Sequence, residues 1–290
     1  MKFASAAVAL FLLLVSAPYA HAVTVTTDAG AQPESITAAP DGGLILGSAA
    51  KPSIYRAGKN STKAEPWIDV SADGNVTFLG VLSDPSTNTL WACEIGPRGT
   101  PGSPTPSSLL SFDLTTGKPK TRWQLPNASS LCNDFTIGPD HALYVSDTFN
   151  STIYRVRPGA SEGEVFIMNR ALDGIDGLTF LDGVLYANNV SANTLWRIPM
   201  DASGKAGNPV NIWTDQPIKG PDGMRAAGGH LFLAENNNGR DSMLTITGDV
   251  AHVTVIQTGL KKPTAIEPAG DILWVGDRAG DNAISIPMPH

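Results

Sequence analysis

Four oxygen-bearing side chains occupy one place in a repeated pattern: Glu34, Asn133, Asp176 and Asp222. Each stands at the head of a short apolar run that is followed by a turn pair, a second run, a loop and a third run. Val76 and Thr264 fill the same place in two further copies, so the six positions follow one another at 42, 57, 43, 46 and 42 residues. Three carboxylates gathered in one concavity repel one another unless a cation lies between them. Ligation by oxygen alone, without His or Cys, is the chemistry of hard cations, with Ca2+ first and Mg2+ or Mn2+ next. Turn formation is the bland alternative for any one of them, because Asp-Gly and Asn-Asp also start loops.

The element that must position these groups is a small antiparallel meander. Ile175 to Ile198 reads as an apolar strand, an Asp182-Gly183 turn, a second strand from Val184 and a third from Thr194. Such a unit cannot bury its apolar face alone and asks for neighbours of its own kind. Copies begin near Glu34, Val76, Asn133, Pro221 and Thr264, and the runs Leu44-Ile45-Leu46 and Ile272-Leu273-Trp274-Val275 are too dense for a sheet wetted on one face. The pattern predicts an all-β chain, a six-bladed β-propeller with about four antiparallel strands per blade. Outer strands are expected at 67–70, 120–125, 164–168, 210–214 and 253–258, with Val23 to Thr26 closing the last blade. In such a ring the first strand of each blade lines a central channel, which brings the four oxygen residues to one mouth.

Met1 to Ala22 has a short positive start at Lys2, an apolar core from Ala6 to Val15 and an Ala20-His21-Ala22 cleavage pattern, so a secretory signal is expected, followed by one domain from Val23 to His290. The formal net charge of -7 carries no Lys/Arg cluster, which argues against nucleic acid and anionic membrane as partners and leaves a small molecule. Oligomeric state is not readable. Cys93 and Cys132 are the only cysteines, and an oxidising compartment suggests one disulfide between them, two free thiols being the alternative. Sequons stand at Asn60, Asn75, Asn127, Asn150 and Asn189, with Asn189 the least suited to modification because it adjoins a strand. Glu94 to Ser108 carries four prolines and three glycines and reads as a rigid rim or as decoration. Asp147, Glu235 and Asp277 share a place at the end of the second strand, where Glu235 would support Asp222 or only bond a loop. None of the five His falls in the ring, and no Ser/His/Asp signature is present.

The chain resembles the SMP-30/gluconolactonase/luciferin-regenerating family through Glu34, the Asn133-Asp134 pair, Asp176-Gly177 and, most specifically, Pro221-Asp222-Gly223-Met224. The resemblance runs from Val23 to Ile286 and suggests a secreted eukaryotic, fungal-like member. It implies a divalent metal, calcium or zinc, held by Glu34, Asp176 and Asp222, with Asn133 contacting metal-bound water or substrate. Asp222 is implied as the base of a lactone-opening reaction. The chain departs from the family's sugar lactonases in having Asp176 for Asn and Leu131 for a substrate-binding Arg, which favours a less polar lactone or ester with Leu131, Trp91, Phe149 and Trp67 as pocket walls. A non-hydrolytic cyclase, cycloaddition or condensing enzyme and a non-enzymatic binding propeller stand as alternatives.

Overall fold

The computed structural model describes residues 22–74, 76–96 and 107–289. The first 21 residues of the expected signal, the sequon at Asn75 and most of the Pro/Gly-rich rim lie outside them. The described chain is all β apart from four short 3-10 turns, and its strands follow the meander pattern. One sheet runs Pro33–Ala38, Leu44–Ser48, Ser53–Ala57, Glu65–Asp69 from the inside outward; a second runs Thr77–Asp84, Thr89–Ile95, Ser107–Asp113, Pro119–Gln124. A third runs Cys132–Ile137, Leu143–Asp147, Thr152–Val156, Glu164–Met168. The last is Pro263–Ala269, Ile272–Asp277, Asn282–Pro287, completed by Thr24–Thr26 from the other end of the chain.

The expectation of six separate blades is corrected by the two remaining repeats, which share one eight-stranded sheet. Its order is Ile175–Leu181, Val184–Asn189, Thr194–Ile198, Val210–Thr214, then Val250–Thr258, Arg240–Thr247, His230–Glu235 and Pro221–Ala227. The join is parallel, with Trp213 opposite Val250 and Thr214 opposite Ala251. Its cause is local: Val250–Thr258 begins earlier than its apolar pattern suggests, directly after a hairpin tip, and meets the free edge of Val210–Thr214. Trp213 N donates to Asp249 O at 2.9 Å, Asp215 N to Ala251 O at 3.1 Å, and Arg197 pairs with Asp249 at 2.5 Å. Two edges that would otherwise stay open satisfy each other. This sheet curls until its two end strands, Ile175–Leu181 and Pro221–Ala227, lie against one another. The fold is therefore propeller-like, with four four-stranded blades and one eight-stranded sheet.

Dense apolar runs are buried because each sheet is covered on both faces. Along Leu44–Ser48, Ile45 packs with Ile54, Phe78, Val81 and Leu90 toward the second sheet, while Leu44 and Leu46 pack with Tyr55, Ala265 and Ala283 toward the last. Alternation of side chains across a strand serves two cores at once. At the Asp182-Gly183 turn both residues have positive φ, 51° and 78°, as a two-residue hairpin of the twist-matched type needs. Cys93 and Cys132 are disulfide-bonded with Cα atoms 5.3 Å apart, tying the second sheet to the innermost strand of the third. Asn60 and Asn127 are exposed, Asn150 is half-buried with its amide bonded to Asp147, and Asn189 is buried. No helix among the described residues is long and apolar enough to cross a membrane.

Candidate functional site

The innermost strands Pro33–Ala38, Thr77–Asp84, Cys132–Ile137, Ile175–Leu181, Pro221–Ala227 and Pro263–Ala269 each touch the next, and the last touches the first, in a closed ring. Each breaks register with its neighbour at one place: after Pro33, Phe78, Cys132, Ile175, Pro221 and Pro263. Glu34, Asn133, Asp176, Asp222 and Thr264 sit inside these irregularities, where the chain leaves the ladder and a side chain is re-aimed. In the second sheet the equivalent residues are Leu79 and Gly80, so Leu79 replaces the expected Val76 in the ring. Thr77 and Phe78 already pair with Ile95 and Glu94, which starts that strand two residues before its irregularity.

Three glycines set how closely the inner strands approach. A side chain on Gly80 would meet the Asn133 carbonyl, one on Gly177 would stand 2.5 Å from the Asp222 carbonyl oxygen, and one on Gly223 would stand 2.6 Å from that of Thr264. Each contact is with the backbone of the following repeat, which cannot rotate away. Gly177→Ala should therefore lower stability by about 2–3 kcal/mol, read as a lower urea midpoint at unchanged slope; a shift within experimental error would contradict this account of the ring.

Glu34, Asn133, Asp176 and Asp222 line one narrow cavity with about 10 Å³ of free space, together with Gly80, Asp134, Arg225 and Thr264. Their exposures are only 5 to 7%. Asn133 donates from Nδ2 to Thr148 Oγ1 at 3.0 Å, and Asn236 donates from Nδ2 to Asp222 Oδ2 at 2.6 Å. Asn188 bridges two strands, accepting from Gly177 N at 3.0 Å and donating to the Asp222 carbonyl at 2.5 Å. Behind the cavity Arg225 makes a two-point contact with Asp134, at 2.8 and 3.1 Å, and stands 3.4 Å from Glu267. Leu131, Trp91, Phe149 and Glu235 do not line this cavity. Trp91 lines a separate groove between the second and third sheets, and Phe149 is exposed on the turn after Asp147. Glu235 is fully buried and accepts from Arg240, Ser242, Asn238 and the backbone of Lys219, so its carboxylate is a structural clamp.

Burial raises the proton affinity of all three cavity carboxyls. Glu34 is pushed well up by burial and by the charge of Asp222, and Asp176 by burial and then by Asp222 and Glu34. Asp222 is raised by burial to about 7, against the amide of Asn236 and the charges of Arg278 and Lys262. The folded chain thus keeps a proton that the unfolded chain has already released. Asp222's contribution to stability is fully present below its ordinary value of 3.8 and is lost as the pH rises to about 7. Between about pH 4.5 and 7.5 the wild type should lose more unfolding free energy than Asp222→Asn does; parallel pH profiles would contradict the assignment.

An oxygen-only donor set of this kind has the chemistry to attract a hard cation. As positioned, however, no group of three His, Cys, Asp or Glu side chains among the described residues is spaced to hold one ion. The donors suit the metal; their arrangement is not a formed ligand shell.

No family model matches the sequence, and no curated protein matches it. Solved structures do match. A virginiamycin B lyase from Staphylococcus aureus is similar over 92% of this chain and 99% of its own, with a TM-score of 0.63 at 17% identity. A gluconolactonase from Xanthomonas campestris is similar over 90% and 88%, with a TM-score of 0.67 at 15% identity. A PQQ-bound aldose sugar dehydrogenase from Streptomyces coelicolor is similar over 93% and 98%, at 0.59 and 18%. The likeness is one of fold. One scaffold carries lyase, lactonase and dehydrogenase names, so the reaction has to be argued from the cavity.

Proposed function

We propose that the chain is an enzyme that rearranges a small molecule by proton transfer at the carboxyl cavity, in the manner of a lyase or cyclase. The carrying observation is the convergence of three buried carboxyls and a carboxamide from four inner strands on one narrow space. Two carboxyls in unlike protonation states provide both halves of such a reaction. An ionised one takes a proton from a carbon beside a carbon–oxygen bond; a protonated one returns a proton to the departing oxygen; no water is consumed. Likeness to the lyases supports the class. A His-to-Ala variant of the Staphylococcus lyase, solved with quinupristin, is catalytically inactive. Here His141, His230 and His252 all lie off the cavity, which leaves its carboxyls as the proton-transfer groups. The free space of about 10 Å³ is that of a single small group, so only the reacting end of a substrate would enter and the remaining atoms would stay above the mouth.

A second reading, a lactone or ester hydrolase using a divalent cation, is favoured by the oxygen-only donors. Glu34, Asp176, Asp222 and Asn133 would hold Ca2+, or else Mg2+, Mn2+ or Zn2+, and the ion would polarise a carbonyl. The readings separate in water labelled with heavy oxygen. Incubated with a panel of lactones, the enzyme should yield an unlabelled ring-opened product isomeric with its substrate, with turnover unaffected by chelator. A labelled product heavier by one water, formed only without chelator, would establish the hydrolase.

A further inference from the structure

Thr264 stands at the ring-equivalent position of the last sheet, on the inner strand between those of Asp222 and Glu34. It lines the same cavity and is 2% exposed, yet its Oγ1 has no hydrogen-bond partner among the described residues. Buried hydroxyls are almost always paired, and one left unpaired beside a polar cavity points to a partner that arrives with the ligand. The neighbouring groups sharpen what that partner is. Glu34, Asp176 and Asp222 are acidic, and Asn133 spends one of its two amide hydrogens on Thr148 and directs its side chain to Asp176. Arg225 bonds Asp134 and directs its Nε to the Glu267 carboxylate 3.4 Å away, so its charge is turned from the cavity's carboxyls. The other hydroxyl of the lining, Ser35, is bonded to Val81, so Thr264 offers the unpaired neutral hydroxyl, able to donate to an acceptor oxygen that ionised carboxylates would repel.

We propose that Thr264 is a fifth binding residue of this site, its hydroxyl donating to an oxygen of the occupant lodged between Asp222 and Glu34. The proposal rests on the reading of this cavity as the functional site. It gives a role to the polar residue that fills the ring position of the last sheet.

Thr264→Val tests it, because valine keeps the shape and removes only the hydroxyl. With nothing bound, deleting an unpaired buried hydroxyl should leave the thermal midpoint unchanged or higher. Two probes are used on wild type, Thr264→Val, Thr264→Ser and Asp222→Asn: calcium chloride alone, followed by thermal shift, and a panel of small lactones, followed by thermal shift and product formation. For the probe to which the wild type responds, Thr264→Val should bind about fivefold more weakly, seen in KM more than in kcat, and Thr264→Ser should recover most of it. Loss of thermal stability in Thr264→Val with unchanged binding would show a structural threonine and overturn the proposal. A wild-type response that Asp222→Asn abolishes and Thr264→Val leaves intact would overturn it while sparing the cavity reading. No wild-type response to either probe would overturn both.

Discussion

Asp222→Asn should lower turnover by two to three orders of magnitude, the range that loss of a positioned proton-transfer group commonly produces, while leaving the fold intact. The substitution keeps the size of the side chain. It sits beside Asn236, whose amide now donates to Oδ2 at 2.6 Å and can be met by the new carboxamide oxygen. The acid or base is lost, since a carboxamide does not titrate in the working range. Removing a buried carboxyl that repels Glu34 and Asp176 also relieves both, because Asp222 is the leading charge acting on each. Thermal stability near neutral pH should hold or rise as activity collapses. The check is to measure both on the same preparation. Loss of activity accompanied by an equal loss of folded protein would make Asp222 a structural residue, and retained turnover would remove it from the chemistry.

Much of this was legible in the sequence because the physics is local. The Asp182-Gly183 turn, alternate apolar positions and the six recurring strand heads required no knowledge of the tertiary fold, and the outer strands Glu164–Met168 and Val210–Thr214 fall where their alternation placed them. Glu34, Asn133, Asp176 and Asp222 were legible as one set because a repeat converts equal sequence position into equal height in a ring. What was hidden depended on contacts between repeats. The parallel join at Trp213 and Val250 arises from a hairpin extending to another strand's edge, which no single repeat encodes. The register breaks that aim the cavity residues are invisible in the spacing, and for that reason Val76 stood where Leu79 belongs. Glu235 looked like a site residue because it shares a strand-end position with Asp147 and Asp277, yet its four donors come from a loop and a neighbouring strand. Aromatic type alone suggests Trp91 and Phe149 as pocket walls, but the strand carrying Trp91 turns it into another groove and Phe149 projects from an exposed turn.

The Arg225 contact was the least foreseeable and leads to the largest expected loss of stability. Arg225, on the strand carrying Asp222, reaches Asp134 of the third sheet and Glu267 of the last, and Glu267 accepts from Ala38 N at 2.9 Å and Thr37 Oγ1 at 3.2 Å on the first. One guanidinium thus links inner strands from four repeats below the cavity. Burial alone would lower its proton affinity, but Asp134 and Glu267 outweigh that and hold it charged. Arg225→Met would leave two carboxyls in the interior without their counter-charge, a loss of about 3–5 kcal/mol and on the order of 10 °C in thermal midpoint. Burial already raises Glu267, and Arg225 is the main influence holding it down. Without the arginine its folded-state proton affinity rises further. The variant's deficit should therefore be smallest at acidic pH, where Glu267 is protonated in both folded and unfolded chains, and grow as the pH rises past the ordinary glutamate range. Adding Asp134→Asn and Glu267→Gln should restore most of the stability and flatten that pH dependence, since a neutral polar cluster has no unpaired charge to bury. A triple variant as unstable as Arg225→Met would locate the arginine's contribution in packing of its stem instead of in charge.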